Sequence, residues 1–144
     1  ADGYSRVLDG ILGQLDRLDE LRPPTTVLRH TTRDPGRPPT PEEDPYNAFV
    51  RVCRVEGAGE GPLAGVRLGV KDNLAVAGVP LTNGSRTAPF TPTTDAVVVE
   101  RLLDAGATVV GKLNLDDWAS SGTGESAYFA PPKNPHDPRR SAGG

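Results

Sequence analysis

Two short apolar runs bracket one amphipathic segment in the middle of this chain, and that order restricts the fold more than any other feature. Residues 63–70 carry Leu63, Val66, Leu68 and Val70 in near alternation, the pattern of a strand with one buried face. Residues 96–105 follow Thr94 and Asp95, either of which can cap a helix, and precede Gly106, which can close it. Residues 107–110 form a second short buried strand ending at Gly111 and Lys112. Strand, helix, strand in this order predicts a βαβ-like unit, with a parallel pair inside a mixed α/β sheet. Ala48, Phe49, Val50, Val52 and Val55 add a β-like run ahead of the Gly-rich stretch 57–61, so a folded body begins at Tyr46. Residues 114–118 are expected to open another helix.

The part before Tyr46 reads differently. Leu8, Ile11, Leu12, Leu15, Leu18 and Leu21 recur at three- and four-residue spacings, which predicts an amphipathic helix over 4–21, ended by Pro23 and Pro24. Residues 29–44 then hold Pro35, Pro38, Pro39 and Pro41 among charged and Thr residues, a composition that reads as an extended linker or surface strap. The expected division is therefore a helix and Pro-rich linker over 1–45, followed by a folded part over 46–144. With 17 Gly and 15 Pro in 144 residues, the chain should be loop-rich throughout.

Charge and composition exclude several classes of function. A net charge of -3 offers no basic field for a polyanion, so nucleic acid is not expected as a direct ligand. A mean hydropathy of -0.42 and short apolar runs give no membrane span. Cys53 is the single cysteine and cannot form an internal disulfide; with His30 and His136 far apart, no metal-spaced cluster arises. A reducing compartment is favoured, no signal segment is seen, and the cytoplasm is the default location. The absence of any Met suggests a processed or trimmed N-terminus.

Lys71 is the most informative single residue. An apolar strand leads into it, and burial that lowers a lysine's pKa makes its amine a usable general base; a lysine reaching back to solvent is the plainer alternative. Asp72 and Asn73 can orient that amine or simply form the turn. Ser120, Ser121, Gly122, Thr123 and Gly124 begin a run to Ser126 in which glycines allow backbone N–H groups close to a ligand, although no phosphate-loop spacing is present. His136 lies in Asn-Pro-His-Asp-Pro and reads as a loop residue, while Cys53 within its apolar run reads as core. The terminal Gly143 and Gly144 read, taken alone, as a frayed end.

Together these residues resemble the amidase signature family, from about Tyr46 to the last residue. Residues 61–73, Gly-Pro-Leu-Ala-Gly-Val-Arg-Leu-Gly-Val-Lys-Asp-Asn, resemble the family's strand into its catalytic lysine, and Thr82-Asn-Gly-Ser resembles the Thr-x-Gly-Ser step that follows. The helix and turn of 95–107, then 111–117, 120–126, Lys133-Asn-Pro and Gly143-Gly144 follow in family order. The resemblance implies a mixed-sheet amidase-signature fold with helices on both faces. It also implies a nucleophilic serine activated through a second serine, preceded by a cis peptide, that relays the proton to an unprotonated lysine. Lys71 would be that lysine, and Ser120, Ser121, Gly122, Thr123 and Gly124 would line the acyl pocket. The reaction would split a carboxylic amide into an acid plus ammonia or an amine, without cofactor or metal.

The bridging serine of the family follows the Gly-Gly that ends this sequence, and the nucleophile comes later still. Residues 1–144 are thus expected to hold the base and part of the pocket wall, to lack hydrolase activity alone, and to need a complement carrying the two serines. The expected partners are that serine-bearing complement and a small-molecule amide. Trp118 stands where tRNA-dependent amidotransferase subunits of the family have a smaller aromatic residue, which places an ordinary amidase ahead. The alternative is a non-catalytic amidase-like interaction subunit, for example of a glutamine-dependent tRNA amidotransferase.

Overall fold

The computed structural model describes residues 2–19, 27–87 and 89–144. Among these residues four strands form one mixed sheet: β1 (Arg33–Arg37), β2 (Phe49–Val55), β3 (Arg67–Lys71) and β4 (Thr108–Leu113), in the spatial order β1-β2-β4-β3. β3 and β4 run parallel, with Val70 opposite Lys112 and Lys71 opposite Leu113. β2 pairs antiparallel with both β1 and β4. Ahead of the sheet, α1 (Asp2–Asp19) is the expected amphipathic helix, but residues 3–14 are all exposed, Leu8, Ile11 and Leu12 included. Leu21, Pro23 and Pro24 lie outside the described residues. The connection between the parallel strands contains α2 (Val97–Asp104), so the βαβ unit expected from the apolar pattern is present. Val99 and Leu103 of α2 are fully buried and join Cys53, Val55, Val70, Val76, Val79 and Val109 in the core cluster. Each such valine or leucine contributes about 1.5–3 kcal/mol by leaving water.

Several boundaries differ from the sequence reading, each for a local reason. The strand expected from residue 63 begins at Arg67, because residues 62–65 turn; Leu63 N–H donates to the Ala105 carbonyl at 2.8 Å and Val66 N–H to the Leu63 carbonyl at 3.0 Å. Neither Thr94 nor Asp95 caps α2, whose N-cap is Ala96 without a side-chain bond. The Asp95 carboxylate is engaged elsewhere, accepting the Ala77 N–H at 2.8 Å and facing Arg33. Gly106 does follow the helix with φ +97°, a left-handed value that suits glycine. β4 continues to Leu113, which places Lys112 inside the strand rather than after it.

No α-helix opens at residue 114. Only a 3-10 turn, Asp117–Ala119, forms, and Trp118 inside it has φ 53°. Asn114 diverts the local backbone by donating to the carbonyls of Asn47 and Ala130 at 3.0 and 2.8 Å and accepting the Leu115 N–H at 2.9 Å. Such side-chain bonds compete with helix formation.

The Pro-rich segment read as a linker or strap supplies an edge strand, β1. Arg33 anchors it: the guanidinium bonds both Asp95 oxygens at 3.0 and 2.6 Å and the Ala77 carbonyl at 3.0 Å, while Nε donates to the His30 carbonyl at 2.5 Å. Both partners of this pair are over nine-tenths buried, with 8% and 7% side-chain exposure. Among the described residues no helix is long and apolar enough to cross a membrane.

Candidate active site

Lys71 is the last residue of β3. The parallel ladder runs past it, since the Asp72 N–H donates to the Leu113 carbonyl at 3.0 Å, and the Leu74 N–H closes a turn on the Lys71 carbonyl at 3.0 Å. Its side chain is half-buried, and among the described residues no carboxylate oxygen lies within 4.0 Å of its amine. Alternation along the strand separates Val70, 4% exposed and inside the core, from Lys71 on the other face.

A second lysine is the fully buried one. Lys112 on β4 places Nζ 2.8 Å from Asp72 Oδ1, with side-chain exposures of 0% and 1%. The other oxygen, Asp72 Oδ2, accepts the Thr82 N–H at 2.9 Å and its hydroxyl at 2.5 Å, and the Asn83 N–H donates to the Asp72 carbonyl at 3.2 Å. Sequence reasoning missed Lys112; the available signal was a lysine continuing an apolar run without a break. It also missed the function of Thr82, whose side chain ties the following turn to Asp72.

Asp116 organises the rest of the site. Fully buried, it accepts the Ser126 hydroxyl at 2.7 Å and the Ser126 N–H at 3.0 Å on Oδ1, and the Gly124 N–H at 2.9 Å on Oδ2. The Ser126 hydroxyl foremost, then the two backbone N–H groups and the positive charge of Lys71, hold this carboxyl below its ordinary range against the opposing effect of burial. Gly144 packs against the same carboxylate: a Cβ there would collide with Asp116 Oδ2. The Gly144 N–H donates to the Gly122 carbonyl at 3.0 Å, and the Ser141 hydroxyl donates to the Thr123 carbonyl. The 120–126 loop and the Gly143-Gly144 end are therefore gathered round one carboxylate that also senses Lys71.

Within the loop, Ser120, Ser121, Gly122 and Thr123 are exposed and Gly124 is buried. The Ser121 and Thr123 hydroxyls lie 3.1 Å apart, and the Thr123 N–H donates to Ser121 Oγ at 3.2 Å. Nothing brings His136 to this site; it sits in an exposed turn with its N–H on Asn134 Oδ1 at 2.9 Å. Cys53 is in the core, where burial pushes its thiol up to about 11. Trp118 is 56% exposed and directs its indole N–H at Thr87 Oγ1, 3.4 Å away. Among the described residues no group of three His, Cys, Asp or Glu side chains is placed to hold a metal ion.

The amidase family profile matches residues 50–144. The chain belongs to the amidase family. This amidase-family chain is 48% identical over 99 residues to a glutamyl-tRNA(Gln) amidotransferase subunit of Halobacterium salinarum, a match covering 68% of the chain and 23% of that protein. To an enantioselective amidase of Rhodococcus rhodochrous it is 45% identical over 100 residues, covering 69% of the chain and 19% of the relative. Among solved structures, the corresponding glutamyl-tRNA(Gln) amidotransferase subunit of Thermotoga maritima superposes with a TM-score of 0.62 at 35% identity, covering 70% of this chain and 23% of that one. The Kluyveromyces lactis allophanate hydrolase gives a TM-score of 0.56 at 38% identity over 58% of this chain and 14% of that one. The chain thus spans about a quarter or less of the length of these relatives.

Proposed function

We propose that this chain carries the general base and part of the acyl-pocket wall of a Ser-cisSer-Lys amidase. The carrying observation is Lys71, half-buried at a strand end with no carboxylate within 4.0 Å of its amine among the described residues, beside the 120–126 loop and Gly144 that gather round Asp116. A neutral amine in that position takes the proton of a bridging serine as that serine takes the proton of the nucleophile. The nucleophile's oxygen bonds to the amide carbonyl carbon, the C–N bond breaks, and the leaving nitrogen departs as ammonia or an amine carrying the returned proton. Water then cleaves the acyl-enzyme to the acid. Ser120, Ser121, Gly122, Thr123 and Gly124 line the acyl side. In this reading a serine-bearing complement supplies the bridging serine and the nucleophile, and turnover requires it.

The test is labelling with a fluorophosphonate, which phosphonylates activated serines. Applied to the native sample, with the intact mass of every polypeptide measured under denaturing conditions, it should label a serine-bearing segment accompanying or continuing this chain. Lys71→Ala should abolish the labelling while leaving the fold intact; undiminished labelling removes Lys71 from the mechanism.

Likeness to the glutamyl-tRNA(Gln) amidotransferase subunits supports the assembly, though not the loss of turnover, in a second reading. There the chain belongs to a component that assembles with partners in a glutamine-dependent tRNA amidotransferase and serves binding rather than turnover. Absence of any fluorophosphonate-reactive serine, together with a stable co-purifying assembly, would select it.

A further inference from the structure

Lys112 is a fully buried charged group beside the proposed base to which the chemistry itself gives no task, and its placement gives it one. In the parallel register it stands opposite Val70, so it projects to the same face as Val70 and as Asp72, two residues further on. Lys71 projects to the other face, but its Cα is only about 3.8 Å from that of Asp72. A buried, unpaired carboxylate on the neighbouring residue would favour the ammonium form of Lys71, which cannot accept a proton. The 2.8 Å contact of Lys112 Nζ with Asp72 Oδ1, at 0% and 1% exposure, makes the pair electrically neutral as seen from Lys71. The Thr82 N–H and hydroxyl occupy the other Asp72 oxygen.

We propose that Lys112 is a positioning residue for the Lys71 base: it cancels the charge of Asp72 and so removes that carboxylate's bias towards the ammonium form of Lys71. The inference rests on Lys71 being the base, but it is read on the amine itself and needs no turnover. Asp116, the other charged group that acts on Lys71, is unchanged in every variant below.

The experiment is competitive acetylation of the folded protein with acetic anhydride at a fixed pH, which modifies neutral amines only. The chain has three lysines, Lys71, Lys112 and the exposed Lys133, so the Lys71-to-Lys133 labelling ratio is an internal measure by peptide mass spectrometry. Lys112→Met leaves the Asp72 charge uncompensated and should lower the ratio by about threefold or more. Asp72→Asn leaves the Lys112 charge uncompensated and should raise it by a similar factor. The double variant, neutral at both positions, should return within about twofold of the parent. A merely structural pair would move the ratio in the same direction in both single variants, or not at all, and either result overturns the proposal. If circular dichroism shows that Lys112→Met does not fold, Asp72→Asn and the double variant decide: a raised ratio in the first that reverts in the second supports the charge argument, and no reversion refutes it. Fluorophosphonate labelling that survives Lys71→Ala defeats the base assignment separately, whatever the ratios show.

Discussion

Asp95→Ala should be among the most damaging single substitutions outside the apolar core. Its carboxylate takes two guanidinium bonds from Arg33, at 3.0 and 2.6 Å, and the Ala77 N–H at 2.8 Å. The pair joins β1, the turn after β3 and the residue before the N-cap of α2, and each side chain is over nine-tenths buried. Removing the carboxylate leaves the Arg33 charge buried with only carbonyl partners, and breaking such a pair from one side costs about 3–5 kcal/mol. A chain of this size is held by roughly 0.05–0.15 kcal/mol per residue, so the loss takes a large share of the total. Urea unfolding followed by far-ultraviolet circular dichroism measures it, with the Arg33→Met, Asp95→Ala double variant closing the cycle. The double variant should recover part of the loss, because an apolar pair of similar volume removes the uncompensated charge. A loss below about 1 kcal/mol for Asp95→Ala would refute the reasoning and return the Pro-rich segment to a strap draped over the surface.

Two further outcomes follow from the titrating groups. Cys53, its thiol pushed up to about 11 by burial, should resist a thiol-disulfide reagent at pH 8 in the folded protein and react promptly after unfolding in urea. Asp116 is held below its ordinary range by the folded state, so the stabilisation it gives the 124–126 turn is fully present above the unfolded carboxylate value near ~3.9 and is lost as pH falls through the lower folded value. Hydrogen exchange at the Gly124 and Ser126 amides should accordingly stay protected at pH 5 and open only under stronger acid; protection already lost at pH 5 would contradict the cradle seen around the carboxylate.

What the sequence made legible and what it hid divide along one physical line. The βαβ unit was readable because Leu68 and Val70, like Val109 and Leu103, are placed by hydrophobic periodicity, a property each segment carries within itself. Lys71 stood at the end of such a run, and family motifs on either side marked it. The edge strand Arg33–Arg37 was not readable, since its prolines and charges argue against a sheet; what holds it is Asp95, sixty-two positions away. The helix expected from residue 114 failed because Asn114 found carbonyl partners at Asn47 and Ala130, neither visible from the local pattern. Lys112 makes the case most sharply. A lysine inside a strand reads locally as a snorkelling surface residue, and Asp72, brought onto the same face by the parallel pairing of β3 with β4, allows it to be buried whole. A buried charge is a property of a pair, and the pair exists only once the fold has brought its members together.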